Sequence, residues 1–284
     1  MRSYLNLRKN ALSTQRGNML KQAFIVSCLL LCFIMLLFYV FQRRLIYFPA
    51  QLAPKLQEYY ASDMTLVTLQ TKDNLVLTSW YKPAINNQPT VLYLHGNAGH
   101  IGYRMPLIRQ FINAGFGVFL LEYRGYGGNK GAPTEQGLYE DGRTALQFLY
   151  QKSPESKQVV LYGESLGTGI ATKLAVEYPV CAVILQSPFT SLLSVARYHY
   201  PWLLIKPWDQ FDSLERIKKI HAPLLVLHGK QDQVVPFDEG LTLFNQANEP
   251  KKMLTFADKH HNDLWGVSGF SEKIINFVQT HCPK

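Results

Sequence analysis

Ser165 lies in "VVLYGESLGTG" (159–169), where a β-branched apolar run meets a small-residue turn and then the helix-forming "IATKLA". A serine at a helix start has a plain use, because its hydroxyl can accept a bond from an unpaired first-turn amide. Capping leaves Gly163 and Gly167 unexplained, two residues to either side of Ser165. A direct strand-to-helix turn crowds the backbone, and small neighbours let the serine stand at its apex with the oxygen exposed above a sheet. That spacing suits a nucleophile. A serine hydroxyl is a weak nucleophile near neutral pH, so an imidazole must take its proton and a carboxylate must hold that imidazole in one tautomer.

Candidates for both groups stand further along. Asp232 in "KQDQVVP" follows the apolar run "PLLVLHG" (223–229), and His260 and His261 in "ADKHHNDL" follow "KKMLTF" (251–256). Taken alone, Asp232 reads as an ordinary turn aspartate. Taken together, Ser, Asp and His follow three apolar runs in the chain order of an α/β-hydrolase triad. The oxyanion of acyl transfer also needs donors. "HGNAGH" (95–100) suits this, since Gly96 and Gly99 permit a tight loop in which the amide of Asn97 faces the site beside the amide of Leu166. His95 and His228, each ending a run in "HG", read as structural residues bonded to loop backbone, and His199 and His221 as surface or loop histidines.

These groups must be positioned by the elements around them. "MTLVTLQ" (64–70) and "LVLTSWY" (75–81) alternate in polarity about "TKDN", which is a hairpin signal. Short apolar runs follow at 90–95, 117–123, 158–163, 180–186, 223–229 and 251–256. Helical patterns near 103–114, 134–151, 166–178, 237–247 and 268–280 separate them. Strands buried on both faces and joined by helical crossovers predict an α/β fold: a mostly parallel sheet, an antiparallel N-terminal hairpin edge and helices on both faces. In such a sheet functional groups gather beyond the carboxyl ends of the strands, where Ser165, Asp232 and the pair His260 and His261 fall.

Ahead of this domain, residues 22–42 carry no charge and include "AFIVSCLLLCFIMLLFYVF". Twenty-one residues at helical rise span about 31 Å, enough to cross a bilayer core. A cleavable signal has a shorter apolar region and a small-residue cleavage site, whereas this run ends in Arg43 and Arg44. A buried core helix would show a polar face. The segment therefore reads as an uncleaved transmembrane signal anchor, with 1–21 a basic tail, 43–60 an irregular juxtamembrane connector and 61–284 the catalytic domain. Arg2, Arg8, Lys9, Arg16 and Lys21 precede it, against Arg43, Arg44 and Lys55 after it. The positive-inside rule puts the N-terminus in the cytosol and the domain outside the cytoplasm, in the periplasm if the chain is bacterial.

The net charge of +9 is mostly topological, because the tail and the Arg43–Arg44 pair leave only +2 for the rest. No basic patch with interleaved aromatics appears, which argues against nucleic acid as a partner. Cys28 and Cys32 lie in the span, Cys181 in an expected strand and Cys282 near the C-terminus, and all four are expected as free thiols. No pair has metal-ligand spacing with a second pair behind it, and no metal or organic cofactor is implied.

"LIYFP", "LYLHGNAG", "EYRGYGGNKGAPTEQGLYEDG", "LYGESLGTGIA", "LQSPFTSL", "LHGKQDQVVP" and "HHNDLW" cover nearly everything after the span. In these motifs the chain resembles the Bem46-like branch of the α/β-hydrolases, a group that includes membrane-anchored serine hydrolases and a palmitoyl-thioesterase subgroup. The resemblance implies Ser165 as nucleophile, Asp232 as triad carboxylate, His261 as base, and the amides of Asn97 and Leu166 as the oxyanion hole. His261 is preferred to His260 because "HND" matches the family's Gly-His-Asn-Asp, in which His260 occupies the glycine position. "YRGYG" (123–127) and Asp141 match the family too, and read as structural groups bonding across the loops behind the oxyanion turn. Glu164 either faces solvent at the site mouth or pairs with Arg124.

"SPFTSLLSVARYHYPWLLIKPWDQF" lies within a short lid segment, 187–212, dense in Tyr198, Tyr200, Trp202, Leu203, Leu204, Ile205 and Trp208. It reads either as core filling or as an apolar rim for an acyl chain, with Tyr198, Trp202 and Trp208 as candidate substrate contacts. The expected function is hydrolysis of a carboxylic ester or thioester of a small acyl or lipid-like molecule through an acyl-enzyme. An extracytoplasmic domain argues against removal of acyl groups from cytosolic-face cysteines. Amide or peptide hydrolysis on the same triad, and a binding module without turnover, are the alternatives.

Overall fold

A computed structural model of the chain describes residues 2–152, 158–202 and 206–282, with side chains from Gln15 onward. The chain divides into two units, Met1–Leu45 and Ile46–Lys284. The first is a single helix, α1 (Arg2–Ile46), longer than the span read from hydropathy because the helix also includes the basic tail. No proline occurs before Pro49, so nothing breaks the helix earlier. Within α1, Gln15–Ile46 has an 18-residue stretch of mean hydropathy 2.9, none of it buried, and is the one helix among the described residues long and apolar enough to cross a membrane.

The second unit is built on an eight-stranded sheet. Its strands are β2 (Thr65–Gln70), β3 (Val76–Lys82), β4 (Thr90–Leu94), β6 (Gly117–Leu121), β7 (Val159–Glu164), β8 (Ala182–Gln186), β9 (Leu224–Gly229) and β10 (Lys251–Phe256). They run in the order β10-β9-β8-β7-β4-β6-β3-β2. The β2–β3 and β3–β6 pairs are antiparallel and the others parallel, as expected of a hairpin edge on a parallel sheet. The helices are α2 (Met105–Asn113), α3 (Glu135–Lys152), α4 (Leu166–Glu177), α5 (Leu192–His199), α6 (Ser213–Ile217), α7 (Phe237–Gln246) and α8 (Phe270–His281).

Successive strand side chains point to opposite faces, and this alternation divides the core in two. Leu92, Leu94, Phe119, Leu161, Val183 and Val226 pack with Leu146 of α3, Ile170 of α4 and Leu243 of α7. Val91, Tyr93, Leu120, Tyr162, Ile184 and Leu225 pack with Phe111 of α2 and Phe277 of α8. Near-continuous apolar runs in the sequence are the direct result of strands covered on both sides.

Two expectations need correction. The connector after the span is not wholly irregular: β1 (Phe48–Pro49) pairs in parallel with β5 (Ala98–Gly99), and Leu56–Tyr59 forms a 3₁₀ turn. The cysteines are not all free. Cys181 and Cys282, 101 residues apart, form a disulfide, because β8 begins beside the end of α8 with the two Cα atoms 5.5 Å apart. Cys28 and Cys32 are free and exposed.

Candidate active site

The turn between β7 and α4 holds Ser165 at φ 50° and ψ −114°, in a left-handed region that a non-glycine residue enters at a cost of about 1–3 kcal/mol. Its amide donates to Gln186 O at 2.8 Å, and its carbonyl accepts from the Thr168 amide at 2.9 Å. The side chain makes no capping bond to α4. Instead Ser165 Oγ lies 3.0 Å from Nε2 of His261. The flanking glycines explain the tight turn: a Cβ on Gly163 would lie 2.7 Å from the Gly167 carbonyl oxygen, and one on Gly167 would overlap the Leu94 carbonyl.

His261 enters from the loop after β10. Its Nδ1 lies 2.7 Å from Asp232 Oδ2. Gly229, at the end of β9, lets this loop approach, since a Cβ there would overlap the Lys259 carbonyl. Asp263 Oδ1 accepts the His260 amide at 2.7 Å and closes the loop on itself. His260 itself is exposed, and it occupies the family's glycine position without a left-handed backbone.

Asp232 sits just beyond β9, and its Oδ1 accepts from the amides of Val234 and Val235 at 2.9 and 2.8 Å. It is thus the turn aspartate as well as the partner of His261. Burial pushes its carboxyl up, but bonds from His228 and His261 and the Val235 amide outweigh burial and hold it well below the usual carboxylate range. His228 Nε2 also meets Val235 O at 3.0 Å, so this buried histidine braces the aspartate turn.

Across from Ser165 lies the loop 95–100. A Cβ on Gly96 would come within 3.5 Å of Ser165 Cβ, which places the loop directly against that serine. His95 Nδ1 lies 2.7 Å from the Gly96 carbonyl oxygen, while its Nε2 lies 3.2 Å from Glu122 Oε1. In a trans peptide the C=O and N–H point oppositely, so holding the Gly96 carbonyl on His95 turns the Asn97 N–H away from that ring. The Asn97 side chain faces elsewhere and donates to Ile46 O at 2.7 Å. The Asn97 backbone carbonyl accepts from Phe48 N and from Tyr126 Oη. Leu166 N opens α4, where first-turn amides have no partner within the helix.

Tyr123 Oη donates to His95 O at 3.1 Å, and Asp141 accepts both the Arg124 amide and its Nε at 2.9 Å, which is the structural bracing read for these residues. Glu164 is corrected: it neither faces solvent nor meets Arg124, which is taken by Asp73 and Asp141. It forms a fork with Arg104 at 3.0 and 3.1 Å and accepts from Tyr93 Oη at 2.8 Å. A pair 60 residues apart leaves no local pattern in the sequence, so nothing there points to Arg104.

The segment after β8 is tied to the aspartate side. Glu239 of α7 accepts from Thr190 N at 2.7 Å and from the hydroxyls of Thr190 and Ser194, and His199 Nε2 lies 2.8 Å from Val234 O. Tyr198, Trp202 and Trp208 are exposed on this segment, so they do not fill core; Leu203, Leu204 and Ile205 lie outside the described residues.

An aligned hydroxyl, imidazole and carboxylate can move a proton from Ser165 to His261 as the oxygen attacks a carbonyl. Among the described residues no three His, Cys, Asp or Glu side chains are grouped to hold a metal ion.

Residues 85–207 match the family model described as serine aminopeptidase, S33. The chain is 31% identical to protein bem46 of Schizosaccharomyces pombe, over 94% of this chain and 96% of that protein. It is 34% identical to the lysophosphatidylserine lipase ABHD12 of Rattus norvegicus, over 72% of this chain and 56% of the lipase. An esterase of Pyrococcus furiosus superposes with a TM-score of 0.71 at 18% identity, covering 84% of this chain and 98% of that one.

Proposed function

The chain belongs to the Bem46-like α/β-hydrolases, and from that premise we propose that it is a membrane-anchored serine hydrolase cleaving esters or thioesters of small acyl or lipid-like molecules. The observation that carries this reading is the continuous path from Ser165 Oγ through His261 to Asp232, at 3.0 and 2.7 Å. In the proposed reaction Ser165 Oγ attacks the acyl carbonyl while His261 Nε2 takes its proton. The amides of Asn97 and Leu166 receive the oxyanion, and Asp232 stabilises the imidazolium. His261 then protonates the leaving alcohol or thiol. Water, deprotonated by the same imidazole, releases the acid and restores Ser165.

The acyl or lipid class is supported by three features: the apolar helix α1, the exposed Tyr198, Trp202 and Trp208 on the lid, and a relative named as a lysophosphatidylserine lipase. Aromatic rings at an aqueous rim suit a ligand with one apolar and one polar end. We place the N-terminus in the cytosol and the hydrolase domain outside it. The excess of basic residues before the span supports this, as does the Cys181–Cys282 disulfide, a bond that persists in oxidising compartments. Amide hydrolysis would use the same triad, and the match to a family model named for an aminopeptidase is the observation in its favour.

Turnover of matched p-nitrophenyl esters, thioesters and anilides of increasing acyl length tests the proposal. Ester and thioester cleavage that is lost in Ser165→Ala and His261→Ala but retained in His260→Ala is expected. Cleavage confined to anilides would favour the amidase reading, and no cleavage of any of them by the folded protein would count against both.

A further inference from the structure

We propose that Arg104 is a positioning residue, a rigid spacer that sets the distance between the two sides of the oxyanion hole. The proposal rests on the serine-hydrolase reading above. Arg104 ends the 3₁₀ turn Ile101–Arg104 and is buried, at 7% exposure. Its guanidinium faces two ways. Nε and Nη2 form the fork on Glu164, the residue immediately before Ser165. Nη1 donates to the carbonyls of Ala98 at 3.0 Å and His100 at 3.3 Å, in the loop that carries the Asn97 amide. One planar group thus holds the nucleophile turn with one edge and the opposing loop with the other.

The geometry leaves no slack. A Cβ on Gly96 would lie 3.3 Å from Glu164 Oε1 and 3.6 Å from Arg104 Nη2. Tyr93 Oη, from the neighbouring strand, donates to Glu164 Oε2, the same oxygen that accepts Arg104 Nε. A buried ion pair adds little net stability over apolar packing, so what this pair supplies is the fixed donor directions of guanidinium. Lysine would keep the charge but offers a flexible point donor in place of the fork, and could not hold both edges at once.

Steady-state hydrolysis of p-nitrophenyl butyrate by Arg104→Lys, alongside inhibition by a trifluoromethyl ketone, tests this. Displacement of an oxyanion donor acts on the transition state, so kcat is expected to fall between about 10- and 100-fold with KM within about twofold. Affinity for the ketone, whose bound adduct is an oxyanion, is expected to fall in parallel with kcat/KM. Unchanged kcat in a variant that melts like wild type, or a rise in KM alone, would overturn the proposal. If Arg104→Lys does not fold, Glu164→Gln carries the test: it keeps the shape and weakens the fork, and the same kcat-specific loss is expected, with unchanged kcat again overturning the proposal. Wild-type protein that neither hydrolyses the ester nor reacts with a fluorophosphonate would overturn the underlying reading too. An active wild type matched by an equally active Arg104→Lys defeats the spacer alone.

Discussion

Asp232 shows how one side chain can serve fold and chemistry together. Its Oδ1 closes the turn on Val234 and Val235, leaving Oδ2 for His261, so the carboxylate must stay ionised for both. Asp73 offers a simpler electrostatic test away from the site. The Arg124 guanidinium, and then the Thr71 hydroxyl, hold its carboxyl down to about 2. A depressed folded value means that the group stabilises the fold above the unfolded carboxylate value and that this contribution is lost as pH falls through the folded one. Asp73 is half exposed, so solvent screening reduces its contribution to about 1 kcal/mol. Asp73→Asn is therefore expected to lower urea stability near neutral pH by about that much. The gap between wild type and variant should close between about pH 4 and pH 2, and a gap independent of pH would contradict the assignment. The placement of Ser165, Asp232 and His261 was legible because each follows a strand at a strand's carboxyl end, a position that apolar runs reveal. The Arg104–Glu164 fork was not, since it joins a 3₁₀ turn to a distant strand end and neither residue sits in a pattern of its own.

Among the elements, the turn from β7 into α4 has no room for a side chain at Gly163 or Gly167. The overlap of a Gly167 Cβ with the Leu94 carbonyl involves backbone in the sheet centre, which cannot give way as a flexible side chain could. Gly167→Ala is expected to cost more than about 2 kcal/mol in a denaturant melt, or to prevent folding. A stable Gly167→Ala protein would show that β4 and α4 can separate. Most elements could be anticipated, because strands covered on both faces read as unbroken apolar runs and the amphipathic patterns between them read as crossovers. The ordered connector could not. The two-residue pairing of β1 with β5 depends on a loop held by Glu122 and Tyr126, far away in the chain. The attachment of the segment after β8 was equally hidden, since Glu239 of α7 meets Thr190 and Ser194 only through tertiary packing.

At the scale of the whole molecule, the disulfide bears on where the domain works. Cys181 lies in an apolar run and Cys282 at a chain end, and no spacing rule links residues 101 apart. A loop of this length gives a crosslink an entropic advantage of up to about 4.7 kcal/mol, with 2–4 typical. Cys282→Ser is expected to lower the denaturation midpoint, and reductant to lower wild type toward the variant. Protein taken from intact membranes under thiol-blocking conditions should carry two blocked thiols, Cys28 and Cys32; four would place the domain in a reducing compartment and reverse the proposed topology. The proposed chemistry stands on Ser165 as a nucleophile and not a helix cap. The most direct test is mass analysis of the full detergent-solubilised chain after reaction with a fluorophosphonate. One adduct per chain, mapped to the peptide containing Ser165 and absent from Ser165→Ala and from wild type unfolded before treatment, is predicted. A folded protein that acquires no adduct, or acquires it at another residue, would contradict the account.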